Sequence, residues 1–384
     1  MKTDIIIVGA GIIGMTMAIA LSRNNKKVIV IEKNLSKSIK INRIYSLSQK
    51  TKFFLESINI WKDIEGINTL NSMSIFYRYF SKDNMVDFSK ELSNSNIGFI
   101  AQSKFIMSAL LEHSNSYENF QLIDNSEVKI LENNNDTVKV TLNNNETIEA
   151  KYLFSCEGSK SNIKKNLSID SYYDNYDSKA LVFNINHTIT NKSTAYQIFL
   201  ESGPIAFLPI DNKNLSIVLS IKNRFLNDIK IDKKYLESYL AELTNNKFGK
   251  LSIVTDIVSF DLVGYDSKEY KFKKVLFVGD SAHAVHPLAG MGLNLGISDI
   301  IEITEILKNS KQKFGNKNFF SSYARSQKIV NKKARQQLKF IEKIYSAENR
   351  IIKNMIRISM ENIQKSQFIK NKIIKHANNN INFF

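Results

Sequence analysis

The residues best suited to chemistry sit in two glycine-rich turns. The first reads Val8-Gly9-Ala10-Gly11-Ile12-Ile13-Gly14. It follows the β-branched run Ile5–Val8 and precedes a helical pattern from Met15 to Arg23. A second β-branched run, Lys27–Ile31, then ends at Glu32 and Lys33. Strand, glycine turn, helix, strand and acid make a complete βαβ nucleotide unit. Gly9 permits the tight turn, Gly11 lets the backbone approach a pyrophosphate, and Gly14 lets helix pack closely on strand. The free N–H groups at the helix start, around Ile12 and Ile13, favour the phosphates. Glu32 can accept hydrogen bonds from the ribose 2′- and 3′-hydroxyls and would repel a 2′-phosphate. The unit therefore fits NAD or FAD rather than NADP.

The second turn lies within residues 275–299. Val275–Val278 reads as a buried strand, and Gly279-Asp280 stands at its C-terminal end, where α/β sheets hold ligands. His283 and His286-Pro287 follow. Gly290 and Gly292 then open a helix to about Leu307, with Leu293 and Asn294 in its first turn. Asp280 can accept from the hydroxyls of a ribityl chain. The N–H groups at the helix start can face the pyrimidine end of an isoalloxazine. His283 and His286 stand three apart without the carboxylate of an HExxH pattern, so no metal site is expected. No Ser/His/Asp set is evident either.

These turns need a frame. A chain of 384 residues, 43% hydrophobic, holds two domains or one large α/β domain with an insertion, and is not mostly disordered. Between Ser178 and Asp261 the pattern shifts to alternating runs. Ala180–Ile185, Thr194–Leu200, Ile205–Ile210 and Leu215–Ile221 predict antiparallel strands, and a helix is expected from Lys233 to Leu243. Residues 71–97 are expected to add strands to that sheet. Phe76, Tyr77, Tyr79, Phe199 and Phe207 could line an apolar pocket there or serve as ordinary core.

Charge is distributed unevenly. Residues 308–384 hold 18 Lys/Arg against three acids, whereas residues 1–307 hold 35 basic and 34 acidic groups. Phe340, Ile344, Ala347, Ile351, Met355 and Ile358 recur at three- and four-residue steps in this tail. The pattern predicts a basic amphipathic helix, which could lie on an anionic membrane or pack on the body. Nucleic acid is a weaker reading, because charge without a recognition module gives nonspecific affinity only. Residues Ile5–Leu21 are uncharged, but the glycine turn divides them, so they predict strand and helix rather than a membrane span. A single cysteine, Cys156, excludes an intramolecular disulfide and suits a reducing compartment.

The second turn carries a more specific likeness. GDxAHxxHPxxGxGxN, over Gly279–Asn294, resembles the second FAD motif of the class A flavoprotein monooxygenases, which include para-hydroxybenzoate hydroxylase. His286–Gly296 resembles the ubiquinone-biosynthesis hydroxylase branch more closely, and Gly203–Pro209 has the GPxAxLP pattern of that branch. The chain has three prolines, Pro204, Pro209 and Pro287, all inside these segments. The resemblance spans Asp4 to about Ala377. It assigns Arg43 to the flavin side of the cofactor and Gln102 to the FAD chain. Glu157-Gly158 falls in the middle motif, usually DGxxSxxR, linked to both FAD and the nicotinamide cofactor. Four positions depart from the family pattern: Glu157 for aspartate, Lys164 for arginine, Met291 for glutamine and Ser298 for arginine.

The architecture so implied is α/β: a Rossmann-type FAD-binding domain (1–70, 98–177 and 262–307), an interleaved antiparallel-sheet substrate domain (71–97 and 178–261), and a basic helical C-terminal region (308–384). The implied reaction uses FAD, NADPH or NADH as reductant, and O2. A flavin C4a-hydroperoxide hydroxylates an electron-rich ring, here a polyprenylated phenol. The protein orients the reactants and excludes water, while the cofactor carries the redox chemistry. His286 and Pro287 are the flavin-face candidates; no residue is assigned a catalytic role. Partners implied are a polyprenylphenol substrate, an anionic membrane surface and a quinone-biosynthesis complex, with no specific nucleic acid. The expected location is cytoplasmic, with peripheral contact on the inner face of the cytoplasmic membrane. The alternatives are a hydroxylase of a soluble aromatic and a non-catalytic scaffold; a single tryptophan, Trp61, argues against a halogenase.

Overall fold

The computed structural model describes residues 1–40, 42–79, 82–89, 96–191, 193–229, 231–285 and 290–379. Its first sheet has eight strands, built around Val275–Phe277, Thr147–Ser155, Lys2–Val8, Val28–Ile31 and Phe120–Ile123, in that spatial order and all parallel. Ile5, Ile6 and Ile7 are fully buried, as is nearly all of Val28–Ile31. A parallel strand covered on both faces has no polar side, which is why these runs are apolar without alternation. The helix Ile12–Arg23 is likewise buried almost all round, between the sheet and the helices Ser103–Ser114 and Met291–Asn309.

A second, nine-stranded sheet runs His283–Ala284, Val258–Ser267, Ser171–His187, Asn214–Lys222, Gly203–Pro209, Thr194–Leu200, Ser72–Tyr79 and Lys82–Ser89, with Leu251–Ile253 also on Ser171–His187. Ser72–Tyr79 joins it in parallel, Thr194 opposite Ser72. Strand Ser171–His187 is far longer than the expected Ala180–Ile185. Its polar first half pairs with Val263–Ser267 across a register shift between Asn175 and Lys179. Backbone pairing there needs no apolar pattern, so the residues carry no signal of it. The helix Lys233–Leu243 forms over the expected residues, capped by the Asp232 carboxylate accepting from Tyr235 N–H at 2.9 Å. His283–Ala284 belongs to this sheet although Val275–Phe277, just before it, belongs to the first. The second glycine motif therefore stands where the two sheets meet.

The tail is not one helix. It forms Ser321–Tyr345, Arg350–Lys365 and Gln367–Asn379. The expected stripe from Phe340 to Ile358 breaks because Asn349 caps a new helix, accepting from Ile351 N–H at 2.8 Å. The first tail helix is tied to the long strand by Asp174, which meets Arg335 Nε at 3.2 Å and Lys339 Nζ at 3.0 Å. Tyr345 stacks on Phe199 at 3.6 Å and 8°. Ile356, Met360 and Ile374 pack on Tyr77, Val86 and Phe88. Of the aromatics considered for a pocket, Tyr77, Phe199 and Phe207 are core, and Phe76 stacks on Tyr196. The side chain of Tyr79 lies outside the described residues.

Candidate active site

The first turn has two kinds of glycine. Gly9 has φ +103°, and a Cβ there would lie 2.6 Å from the Cys156 carbonyl oxygen. A Cβ on Gly14 would lie 1.8 Å from the Gly9 carbonyl oxygen. These two are required by the protein's own packing. Gly11 differs: a Cβ there would meet nothing within 4 Å. The fold leaves its backbone face open, as a phosphate cradle requires. Glu32 sits at the end of its strand, with Oε2 accepting from Ala10 N–H at 2.6 Å and Oε1 from Asn34 N–H at 2.9 Å. The acid thus braces the glycine turn while retaining lone pairs for a ribose. Lys33 points instead to Glu127, at 2.7 Å. Ile12 and Ile13 begin the helix half-buried.

Ile13 joins the two motifs. Cβ atoms on Gly279 and Gly296 would lie 3.3 and 2.6 Å from its side chain. Gly279 has φ +58°, and its N–H donates to Asp299 Oδ2 at 2.9 Å. The Tyr265 hydroxyl donates to the Asp280 carbonyl, so the turn is held from both sides. The Asp280 carboxylate accepts no hydrogen bond among the described residues and is exposed. It is nonetheless crowded by protein, and that crowding raises its pKa. The charges of His283 and Arg43 oppose the shift, and Asp299 adds to it.

Further residues converge on this recess. Arg43 lies beside Tyr45, whose pKa is raised by burial and eased down by that arginine. The Arg43 backbone N–H donates to Ser103 Oγ at 2.7 Å, and Gln102 Oε1 accepts from Asn42 at 2.9 Å. Gly290 is left-handed at φ +59° and faces Ser46. A Cβ on Gly292 would again meet nothing within 4 Å. Leu293 is buried beneath it. Asn294 ties this helix to the Ser46–Thr51 segment. It donates to the Ser46 carbonyl at 2.8 Å, and it accepts from Ser48 N–H at 2.9 Å and Thr51 Oγ1 at 2.7 Å. The flavin-face candidates His286 and Pro287 lie outside the described residues.

Two open glycine faces, the Asp280 carboxylate with no hydrogen bond among the described residues, Arg43 and Glu32, on two motifs that meet where Ile13 packs on Gly279 and Gly296, fit an extended dinucleotide such as FAD. Residues 2–337 match the family described as FAD binding domain. The chain belongs to this family of FAD-dependent aromatic-ring monooxygenases. The ubiquinone biosynthesis monooxygenase COQ6 of Dictyostelium discoideum is 24% identical, over 80% of this chain and 77% of that protein. Ubiquinone hydroxylase UbiM of Neisseria meningitidis is 22% identical, over 82% and 70%. Among solved structures, p-nitrophenol 4-monooxygenase PnpA of Pseudomonas putida superposes with a TM-score of 0.78 at 14% identity, covering 98% of each chain. Pseudomonas aeruginosa PqsL also reaches 0.78, at 17% identity over 95% of this chain and 100% of that one. Those two likenesses concern the fold.

Each departure of this monooxygenase from the family pattern has a local physical setting. Glu157 turns back on its own segment. Its Oε2 accepts from Ser161 Oγ at 2.6 Å and Ile163 N–H at 3.1 Å, capping the short helix Asn162–Asn166, while Gly158 follows at φ +75°. Lys164 is buried, with Nζ 4.6 Å from the Tyr265 ring centroid and 3.2 Å from Ser171 Oγ; burial lowers its pKa. Lys50 Nζ donates to Ser298 Oγ at 3.3 Å, so a cation reaches this site from another helix. Met291 packs against Leu295, Ala334 and Leu338. Sequence reasoning misses Asp299 and Tyr265. A signal for Asp299 exists: an acid set among Ile297, Ile300 and Ile301, on the otherwise uncharged first half of its helix. Tyr265 gives none, because its contact comes from the other sheet.

Proposed function

We propose that this monooxygenase hydroxylates the ring of a polyprenylated phenol or quinone precursor in ubiquinone biosynthesis, with O2 and a reduced nicotinamide or another electron donor. The observation that carries this reading is the meeting of both glycine motifs at Ile13, in a chain whose relatives include named ubiquinone hydroxylases. FAD, when bound, supplies the redox and oxygen-activating chemistry. The chain's own residues then have separate roles. The Gly9–Gly14 turn holds the pyrophosphate, and Glu32 accepts from the adenosine ribose. Asp280 accepts from ribityl hydroxyls, and the helix start at Gly290–Leu293 faces the ring end. Arg43 keeps positive charge beside that end. The discontinuous FAD-binding segments and the nine-stranded sheet act as the cofactor and substrate halves.

The same reading places the tail on an anionic membrane, where such substrates reside. No described helix is long and apolar enough to cross a bilayer. Large apolar side chains nevertheless remain outside: Phe340 is 64% exposed, Ile351 70%, Met355 62% and Phe368 68%. Lys343, Arg350, Lys365 and Lys372 stand among them. Each apolar group contributes about 1.5–3 kcal/mol on full burial, and each nearby cation about 1 kcal/mol at an anionic surface.

The deciding experiment is quinone-intermediate profiling in a deletion strain, with purified holoprotein assayed on a prenylated phenol. Accumulation of an under-hydroxylated prenylphenol supports the reading and names the ring carbon. Conversion of a soluble phenol alone, or no flavin after reconstitution, overturns it. Vesicle co-sedimentation tests the membrane part: binding indifferent to anionic lipid removes it.

A further inference from the structure

We propose that His283 and Asp299 form a buried ion pair that positions the Gly279–Asp280 turn, so that the proton on His283 governs how tightly the flavin dinucleotide is held. The inference rests on reading Asp280 as a cofactor contact.

Asp299 is fully buried, between Ser298 and Ile300 on the helix Met291–Asn309. An isolated carboxylate in such a place costs several kcal/mol unless it is paired and hydrogen-bonded. Its Oδ2 receives two donors, Gly279 N–H at 2.9 Å and His283 Nε2 at 2.7 Å. Asn331 Nδ2 lies 3.5 Å from the other oxygen. Among the described residues no lysine or arginine makes a salt bridge to Asp299, so His283, itself 2% exposed, is its counter-ion.

The groups facing this pair come from five elements. Asp280 stands in the same turn. Asp266, on strand Val258–Ser267, accepts from Tyr270 Oη at 2.8 Å. The Tyr270 ring stacks on His283 at 5.9 Å and 20°. Tyr323, on the first tail helix, donates to the Phe277 carbonyl at 2.7 Å, and Cys156 lies at the end of strand Thr147–Ser155. Burial disfavours the imidazolium. The charge and hydrogen bond of Asp299, with the charges of Asp280 and Asp266, together outweigh it, and the His283 pKa is raised.

The turn cannot easily find another conformation. Gly279 is left-handed, its N–H is spent on Asp299, and a Cβ would press on Ile13 of the first motif. Removing the His283 proton leaves carboxylates around a neutral ring, directly behind a turn that must hold an anionic dinucleotide. A proton bound more tightly in the assembled state is present below the raised pKa and lost above it. The grip is therefore full at lower pH and weakens as pH rises through the folded value of His283.

The test is FAD release from the holoprotein, followed by recovery of flavin fluorescence between about pH 6 and pH 10, for the wild type, His283→Gln and Asp299→Asn. Glutamine keeps an N–H donor at the Nε2 position without the charge. Wild-type affinity should fall by at most about ten-fold per pH unit above the folded pKa. His283→Gln should bind more weakly than wild type below the His283 pKa and lose that slope. Asp299→Asn should move the midpoint to lower pH. A His283→Gln protein with wild-type affinity and profile overturns the proposal. Imidazole 15N NMR of the wild-type protein decides the case independently if the variants fail to fold: a His283 ring that titrates at or below the ordinary histidine value of about 6.5 also overturns it. A protein that takes up no FAD at any pH overturns the cofactor reading instead, and the imidazole spectrum still reports on the pair.

Discussion

Replacing Gly11 by alanine should separate cofactor binding from folding. Gly11 has φ −70° and ψ 179°, a region open to any residue, and its added methyl would meet no protein atom within 4 Å. Two small effects on the free protein oppose each other. Alanine restricts the unfolded chain, stabilising by about 0.4–1 kcal/mol. It also replaces glycine at the helix N-cap, where alanine is poorer by up to about 1 kcal/mol. They nearly cancel, so the melting temperature should stay within about 4 °C of wild type. The same methyl occupies space that a docked pyrophosphate needs. Overpacking of that kind costs about 1–3 kcal/mol, which raises the FAD dissociation constant about 5- to 150-fold. Gly14→Ala supplies the contrast. Its methyl would lie 1.8 Å from one backbone oxygen and 3.0 Å from the carbon bearing it, with no flexible side chain to give way. The helix must leave the sheet, at a loss exceeding about 3 kcal/mol. Flavin titration and thermal melting of both proteins decide the matter. A Gly11→Ala protein that binds FAD as wild type does, or that melts as early as Gly14→Ala, refutes the assignment of Gly11 to the cradle.

Three further perturbations bear on the frame. Tyr265→Phe removes the donor to the Asp280 carbonyl, worth about 0.5–1.5 kcal/mol, so the FAD dissociation constant should rise about 2- to 12-fold; an unchanged constant would show that the turn needs no support from the second sheet. Asp174→Ala strands Arg335 and Lys339 and should lower stability by about 1–2 kcal/mol, between exposed and buried pairs; denaturant melts showing no loss would make the tail clamp inconsequential. Cys156 is buried, and burial, followed by the charges of Asp299 and Glu157, raises its thiol pKa. A thiol reagent at about pH 8 should therefore leave it untouched in the native protein and modify it on unfolding; rapid native labelling would contradict that burial.

Much of the frame is legible without coordinates. The first βαβ unit, the sheet strand Thr194–Leu200 and the helix Lys233–Leu243 follow from local periodicity and caps. The tail reads as one continuous helix, because Ile344, Ala347 and Ile351 keep helical spacing straight through the break. What stops the helix is a side chain that periodicity does not weigh, Asn349. Strand Ser171–His187 exceeds its sequence signal for a related reason: Tyr173 and Asp174 take their strand state from partners Tyr265 and Gly264, about ninety residues away.

What the residues determine by themselves is what short-range sterics and charge can dictate. Gly9 must be glycine because its φ is positive. The run Ile5–Val8 must be covered on both sides because it has no polar face. Glu32, an acid at the end of the second strand, is expected to disfavour a ribose 2′-phosphate. Tertiary structure alone decides how distant segments meet. Ile13 bridges Gly279 and Gly296, Lys50 reaches Ser298, Tyr265 crosses from the other sheet to hold Asp280, and His283 meets the buried Asp299. These contacts join residues distant in the chain, or depend on a burial that no stretch of sequence contains. Their energies come from excluded water and from geometry, and both exist only once the sheets have closed on each other.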